Sequence, residues 1–357
     1  MKIKLRPTLL LALALALVSA TLFVKCRFDN DMQRAHAHAA QGSVLMATRC
    51  GPIEYQETGT GVTLLAVHGS GGGQDQGMAF AAGLASYGIR VIAMSRFGYL
   101  RTPMPADASA AAQADAHVCL LDALGIAKAA VMGGSAGAPS ALQMAIRHPD
   151  RVSALVLLVP LAYKPPTQAD SAPPLPPSVE NMMIKFISSD FLFWTALHLA
   201  RDQVIKLVLA TPPELLAHAS PQERARIDAM LDNILPVSLR AEGLRSDTAV
   251  GKHLSPSPLE SIRMPTLVVS ARDDRYGTYA SAQYTAGLIA GAKFIGFDEG
   301  GHTWVGHDEE VRAAIARLLM EGPLAGLNCS APIARFFMSA NQSNAVTCCA
   351  ALPRSAL

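Results

Sequence analysis

Short apolar runs that alternate with helical segments constrain the fold of this chain most strongly. Six such runs are rich in branched or aromatic residues: Val62–Val67, Arg90–Ser95, Ala129–Met132, Val152–Val159, Pro265–Ser270 and Lys293–Phe297. Uninterrupted apolar strands are typical of parallel sheets that are covered on both faces. Helical spacing separates them over Ala110–Leu124 and Ala138–Arg147, and a closing helix is expected over Asp308–Met320. The sequence therefore predicts an α/β fold with a doubly wound, mostly parallel sheet.

This alternation stops between Pro160 and Pro265. A proline-rich stretch there leads into apolar helical sequence over Asn181–Ala210, which contains several Met and Phe residues. We expect residues 161–260 to form an inserted helical cap over the carboxyl edge of the sheet, where such sheets bind ligands. The core is then formed by residues 47–160 and 261–321.

The amino terminus has the pattern of an export signal. Three cationic residues within positions 2–6 precede an apolar run from Leu9 to Val24, as in a signal peptide. Val18-Ser19-Ala20 is a suitable cleavage site, but the run is also near the ~17 residues that can span a bilayer. Residues 1–27 are thus predicted to be a signal peptide or a membrane anchor at residues 9–24, with the catalytic domain outside the cytoplasm. Residues 28–46 read as a linker, and residues 322–357 as a loosely ordered tail.

Composition excludes several classes of protein. Charged residues make up 16% of the chain and apolar residues 50%, which excludes general disorder. Beyond residue 27 the chain has 25 basic and 28 acidic residues, so no basic stripe indicates a nucleic-acid partner. Six cysteines show neither a C-x-x-C pair nor zinc-ligand spacing, so no metal is implied. A dense disulfide framework is not indicated, while a single bridge remains open.

A glycine-flanked serine lies between a predicted strand and a predicted helix. Gly133-Gly134-Ser135-Ala136-Gly137 fits the G-x-S-x-G nucleophile elbow, in which the serine occupies a strained turn. Gly133 and Gly137 would be required because side chains there would collide with the neighbours of the turn. The Ala136 N–H, at the start of the helix, would face a developing oxyanion.

A second glycine-rich loop, His68-Gly69-Ser70-Gly71-Gly72-Gly73, follows the run Val62–Val67. Glycines allow close backbone approach to a ligand, so this loop is expected to supply the other oxyanion donor, from the N–H of Ser70 or, second, of Gly71. A dinucleotide loop is excluded because Gln74 replaces its third glycine, and no Gly-Lys-Ser/Thr indicates a P-loop. His68 is interpreted as a structural residue behind the loop.

A serine nucleophile needs a base and an orienting carboxylate. Glu299-Gly300-Gly301-His302 follows the last predicted strand, and His302 is favoured as the base over His307. The run Pro265–Ser270 leads into Asp273 and Asp274. Either aspartate would give the chain order Ser, Asp, His, and spacing alone does not choose between them.

Taken together, these motifs resemble the α/β-hydrolase superfamily, in its capped, serine-nucleophile branch. The resemblance runs from about Gly51 to Met320 and includes Arg96-Phe97-Gly98-Tyr99 and Arg147-His148-Pro149-Asp150. It implies that Asp274 is the triad carboxylate, although Ala271 replaces the glycine usual in that turn. It also implies acyl transfer, and the serine excludes the branches that use an aspartate nucleophile, the haloalkane dehalogenases and epoxide hydrolases.

The resulting expectation is a serine hydrolase that cleaves a small, apolar carboxylic ester through an acyl-enzyme, without a cofactor. Hydrolysis of a carbon–carbon bond in a diketone-like substrate and cofactor-free perhydrolysis remain open, because both use the same triad. A receptor-like binding protein on the same scaffold is the alternative from another class. The sequence leaves the oligomeric state undetermined.

Overall fold

The computed structural model describes residues 7–166, 185–186 and 188–321. Within these ranges one sheet has eight strands, in the order β1-β2-β4-β3-β5-β6-β7-β8. Their bounds are β1 Val44–Thr48, β2 Gly51–Thr58, β3 Val62–Val67, β4 Ile89–Met94, β5 Ala129–Gly134, β6 Val152–Leu158, β7 Thr266–Ala271 and β8 Lys293–Phe297. β1–β2 and β2–β4 pair antiparallel, and the other neighbours pair parallel. The predicted α/β, mostly parallel fold is confirmed.

Helices lie between and beyond the strands. Their bounds are α1 Pro7–Ala40, α2 Gln74–Ala81, α3 Ala110–Ala123, α4 Ala138–Arg147, α5 Asp190–Leu199, α6 Arg201–Val208, α7 Glu214–His218, α8 Pro221–Asp232, α9 Ala241–Lys252, α10 Thr278–Leu288 and α11 Asp308–Glu321. α2 and α10 were not expected, and both contact strands of the sheet.

Burial of the sheet on both faces explains its continuous apolar strands. Leu64 and Leu65 are adjacent in β3 and point to opposite faces, and each is fully buried. Leu65 belongs to the core layer beneath α3 and α4, whereas Leu64 belongs to the layer beneath α2 and α11. Every residue of β5 and of β7 is likewise buried, as expected for strands that are covered on both faces.

Helices α5 to α9 lie between β6 and β7, within the predicted cap. Apolar residues of α5 to α8 form a separate cluster, the cap cluster, which includes Phe193, Val204 and Ile227. In the described part of the apolar helical sequence expected over Asn181–Ala210, α5 and α6 are separated at Ala200, whose backbone is not helical (φ −147°). Val204 of α6 is buried in the same cluster. Residues 167–184 and 187 lie outside the described residues.

The linker expected at residues 28–46 is replaced by regular structure. α1 continues without a break to Ala40, and β1 begins at Val44. The physical reason is packing: Met32 is buried in the cap cluster, and Asp31 accepts a hydrogen bond from Trp194 Nε1 at 2.8 Å. Nearby, the Ala39 carbonyl accepts from Gln74 Nε2 at 3.0 Å. The tail at 322–357 lies outside the described residues.

A disulfide joins Cys50, in the turn between β1 and β2, to Cys119 in α3, with the Cα atoms 6.0 Å apart. The sequence left a single bridge open without indicating its partners. This bridge fastens the antiparallel edge hairpin of the sheet to a helix on its face.

Candidate active site

The elbow at the end of β5 has the strained geometry expected of a nucleophile turn. Ser135 has a φ of 47°, which a non-glycine residue rarely adopts. A Cβ on Gly137 would lie 2.6 Å from the carbonyl oxygens of Val67 and His68, and one on Gly133 would lie 2.9 Å from Ala138 Cα. Both glycines are needed because backbone atoms occupy the space that side chains would fill.

The structure brings together the alcohol, imidazole and carboxylate that the sequence named. Ser135 Oγ and His302 Nε2 are 2.9 Å apart, and His302 Nδ1 and Asp274 Oδ2 are 2.9 Å apart. Such distances suit a Ser–His hydrogen bond and a His–Asp hydrogen bond. The Tyr276 and His302 rings pack edge to face, with centroids 4.8 Å apart, and this contact limits rotation of the imidazole.

The two neighbouring aspartates have different tasks. Asp274 is 5% exposed and accepts hydrogen bonds from His302, from the Thr278 hydroxyl and from the Tyr276 N–H. Burial acts to raise the pKa of Asp274, but the hydrogen bond and charge of His302, with the other two donors, hold that pKa below its ordinary value. Asp274 thus favours the ionised form that orients an imidazole.

Asp273 points instead into the loop that carries His302. Its carboxylate accepts from the N–H of Gly300 at 3.1 Å and from the N–H of Gly301 at 2.7 Å. The structure therefore places Asp274 on the imidazole and Asp273 behind it, as a brace for the loop. His302, and not His307, makes the hydrogen bond to Ser135; the His307 ring stacks on Phe297 with centroids 3.8 Å apart.

The loop after β3 lies over the elbow. The Gly69 N–H donates to Gln76 Oε1 at 2.8 Å and the Gly71 N–H to Tyr99 Oη at 3.3 Å. Among the described residues, no acceptor lies within hydrogen-bond distance of the Ser70 N–H. Of the two predicted donors, the Gly71 N–H is therefore engaged by Tyr99, whereas the Ser70 N–H makes no such bond within the described residues. Ala136 lies in the helical turn Ser135–Gly137 that begins at the elbow.

His68 supports this loop from behind. Its ring is fully buried, accepts from the Arg96 N–H at Nε2 (2.9 Å) and lies 2.7 Å from the Gly69 carbonyl at Nδ1. Burial, together with the charge of Arg96, lowers the pKa of His68 well below its ordinary value. A neutral Nδ1–H donor is consistent with both contacts.

Sequence reasoning missed a buried ionic network that joins the cap to this loop. Asp247, in α9, accepts from Arg96 Nη1 and Nη2 at 2.7 Å each and from Ser70 Oγ at 2.8 Å. The Tyr99 hydroxyl also donates to it. Burial raises the pKa of Tyr99, and the charge of Asp247 raises it further. The motif Arg96-Phe97-Gly98-Tyr99 was the available signal, but nothing in the sequence indicated its partner 151 residues away.

A second buried pair acts beside the first. Arg240 Nη2 lies 2.6 Å from Asp75 Oδ2, and Arg240 Nη1 donates to the Gly72 carbonyl at 2.6 Å. The cap is therefore attached to the glycine-rich loop at residues 68–73 at two buried points. Among the described residues, no three His, Cys, Asp or Glu side chains converge so as to hold a metal ion.

Two adjoining pockets lead away from the elbow beneath α9. A small one, of about 20 Å³, is lined by Ala136 and by Asp247. A larger cavity of about 390 Å³ shares Ala110, Pro139 and Val250 with it and extends towards Tyr163 and Tyr284. The larger cavity is mainly apolar, and its described lining includes neither Lys nor Arg.

Comparison with known proteins agrees with the geometry. Residues 62–305 match the family model of the alpha/beta hydrolase fold, and the chain belongs to that family. It is a hydrolase, and its curated relatives include hydrolases of oxo-acids.

The 2-hydroxymuconate semialdehyde hydrolase of Pseudomonas putida is 29% identical over 74% of this chain and 89% of its own length. The 2-hydroxy-6-oxo-6-phenylhexa-2,4-dienoate hydrolase of Comamonas testosteroni is 27% identical over 74% and 90%. Among solved structures, an alpha/beta hydrolase fold protein from Nakamurella multipartita has a TM-score of 0.59 and 29% identity over 78% of this chain and 98% of its own.

Proposed function

We propose that this protein is a serine hydrolase that cleaves carboxylic esters through an acyl-enzyme on Ser135. The observation that carries the proposal is the hydrogen-bonded series from Ser135 Oγ to His302 to Asp274, with both links at 2.9 Å. A group of this kind turns a weakly nucleophilic alcohol into an effective one at neutral pH.

In the first half of the reaction, Ser135 Oγ attacks the ester carbonyl while its proton passes to His302 Nε2. Asp274 accepts from Nδ1–H and stabilises the imidazolium that forms. His302 then gives the proton to the departing alcohol oxygen. In the second half a water molecule attacks the acyl carbon while His302 takes a proton from that water. His302 then returns this proton to Ser135 Oγ as the bond between Oγ and the acyl carbon breaks, which releases the carboxylic acid and restores the serine.

The charge that develops on the carbonyl oxygen would be held by the N–H groups of Ser70 and Ala136. Each such donor lowers the barrier by about 3–4 kcal/mol in comparable sites. Ser70 is kept in place by its hydroxyl contact to Asp247, and the loop around it by Arg96 and Arg240.

The adjoining cavity supports a small or medium apolar substrate. Its lining combines Leu142, Leu161 and Leu288 with the rings of Tyr163 and Tyr284. Its volume, about 390 Å³, is in the range of small-molecule sites. A neutral ester would enter without leaving an unpaired charge in an apolar cavity.

The test is turnover of p-nitrophenyl esters of increasing acyl length by the wild type, by Ser135→Ala and by the matched control Ser86→Ala. Ser86 is exposed and donates only to the Gly83 carbonyl. We expect Ser135→Ala to lose at least about 10³-fold in kcat, with the control unchanged. Equal turnover by Ser135→Ala and the wild type would remove Ser135 from the proposed role.

Hydrolysis of a carbon–carbon bond is the second candidate, because two relatives that the chain covers almost fully are named for oxo-acid substrates. A dienoate carries a carboxylate, which a site usually pairs with a cation. The described lining of the larger cavity has His253 but neither Lys nor Arg, and Arg96, which lines the small pocket, is already paired with Asp247. The ester reading is therefore placed first. Release of product from an oxo-dienoate faster than from every ester tested would reverse that order.

We also propose that α1 anchors the chain in a membrane, with the hydrolase domain outside the cytoplasm. The helical segment Leu10–Ala40 contains an 18-residue window of mean hydropathy 1.9, and that window is unburied. Three cationic residues precede the apolar run and two follow it closely, which favours a cytoplasmic amino terminus. The Cys50–Cys119 disulfide suits an oxidising compartment.

The intact mass of the protein extracted from membranes tests the anchor. We expect a species that retains the residues before Thr21. A mass that begins at Thr21 would instead identify a cleaved signal peptide.

A further inference from the structure

We infer that the amino-terminal end of α5, with the exposed side chains Phe191 and Leu192 and with Phe186 just before the helix, rests in the interfacial layer of the membrane that α1 enters. This inference rests on the proposed anchoring by α1 and adds a second membrane contact, made by the cap. The occupant of this apolar surface is therefore a lipid bilayer.

The first step is the direction in which the two helices run. The Phe28 ring packs on the Phe191 and Trp194 rings, with centroids 5.4 and 5.6 Å apart. Three residues further along α1, Asp31 contacts Trp194 at 2.8 Å and His198 at 3.8 Å. Residues later in α1 contact residues later in α5, so the two helices run parallel. The amino-terminal end of α5 therefore lies nearest the apolar part of α1.

The second step is distance. The apolar run of α1 ends at Val24, one helical turn before Phe28, a rise of about 6 Å. Phe191, which touches Phe28, is therefore about one turn from residues that would lie in hydrocarbon. Lys25 and Arg27 follow the run on α1, and Lys185 precedes Phe186. All three are exposed, and cations at this depth suit lipid phosphates.

The third step is exposure. Phe191 is 46% exposed, Leu192 44% and Phe186 39%. Large apolar side chains exposed together indicate an interaction surface. Aromatic residues in particular are enriched where a protein crosses from hydrocarbon to headgroups. A second contact would fix how the cap is oriented against the bilayer.

The test uses the full chain in nanodiscs of brominated phosphatidylcholine, with a tryptophan placed at one site at a time. Leu192→Trp probes the proposed contact, Leu15→Trp probes the anchor, and Leu199→Trp is the matched control. Leu199 is 82% exposed but lies at the other end of α5. The native Trp194 and Trp304 are buried, and their signal is subtracted using the wild type. Circular dichroism establishes that each variant is folded.

Because residues 192 and 199 are separated by about 10 Å along the helix axis, we expect at least about twofold stronger quenching for Leu192→Trp than for Leu199→Trp. Strong quenching at Leu15→Trp with equal, weak quenching at positions 192 and 199 would overturn the cap contact and leave the anchor standing. No quenching at Leu15→Trp would overturn the anchor, and the cap contact with it. Shielding of Leu192→Trp that grows with protein concentration but not with brominated lipid would assign the surface to a second copy of the chain.

Discussion

The substitution Asp247→Asn tests whether the buried ionic network holds the cap on the core. Asp247 and Arg96 are joined by two bonds of 2.7 Å, and each side chain is only 8% exposed. Asn keeps the size of the side chain but leaves the Arg96 guanidinium buried without a counter-charge. Breaking a buried pair in this way costs about 3–5 kcal/mol, and we expect the free energy of unfolding to fall by that amount.

Asp228→Asn provides the matched control. Asp228 lies 2.6 Å from Arg201, but its side chain is 55% exposed and that of Arg201 is 35% exposed. An exposed pair of this kind contributes no more than about 1 kcal/mol. Both variants are unfolded with urea in the same detergent and followed by circular dichroism, and their kcat on a p-nitrophenyl ester is measured. The two ion pairs have similar distances and differ in burial. Equal losses of stability in the two variants would therefore refute the reasoning, because burial of the pair would then not affect its contribution to the free energy of unfolding.

Three further outcomes follow from the same contacts. Asp274→Asn is expected to lower kcat for ester hydrolysis by about 10⁴-fold. Asp273→Asn loses only the contacts to the loop and is expected to lower kcat by much less. Equal losses of kcat would show that the two carboxylates are misassigned. Burial, with the charge of Arg96, lowers the pKa of His117 to about 3, so below pH 6.5 the unfolded chain takes up a proton that the folded chain does not. Stability measured by urea titration from pH 6 to 4 should then fall by about 1.4 kcal/mol per pH unit more in the wild type than in His117→Gln. Replacing both Cys50 and Cys119 with Ser should lower the free energy of unfolding by about 4 kcal/mol, because the bridge closes a loop over a separation of 69 residues. The same urea titration measures this loss. An unchanged unfolding midpoint would argue that the bridge is not formed.

The parts of this fold that depend on local sequence pattern could be predicted from the sequence. Strands such as β3 and β7 are buried on both faces, so their apolar residues run without interruption and can be recognised. The elbow is also local, because the room around Ser135 is limited by its own neighbours and only glycine fits at positions 133 and 137. His302 and Asp274 follow strands β8 and β7, and parallel strands end at the same edge of the sheet. The structure therefore places the imidazole and the carboxylate where the sequence expected them.

The features that could not be predicted depend on contacts between residues far apart in the sequence. An aspartate in a polar cap helix usually faces water, and nothing near Asp247 distinguishes it until Arg96 is placed beside it. The stretch from residue 28 to 40 mixes polar and alanine residues, which is equally compatible with a linker. Its helix is stabilised by packing of Met32 in the cap and by the bond from Trp194 to Asp31, and neither contact is visible in the local pattern.

The position of Asp247 couples entry of a substrate beneath the cap to catalysis at Ser135. The same carboxylate holds the cap through Arg96 and steadies the hydroxyl of Ser70. Lifting the cap to admit a molecule would withdraw that support, so the open enzyme would be catalytically idle. In the proposed mechanism the Ser70 N–H would regain its alignment only after the cap closed again. A molecule too bulky to be enclosed would then escape hydrolysis even if it reached the serine.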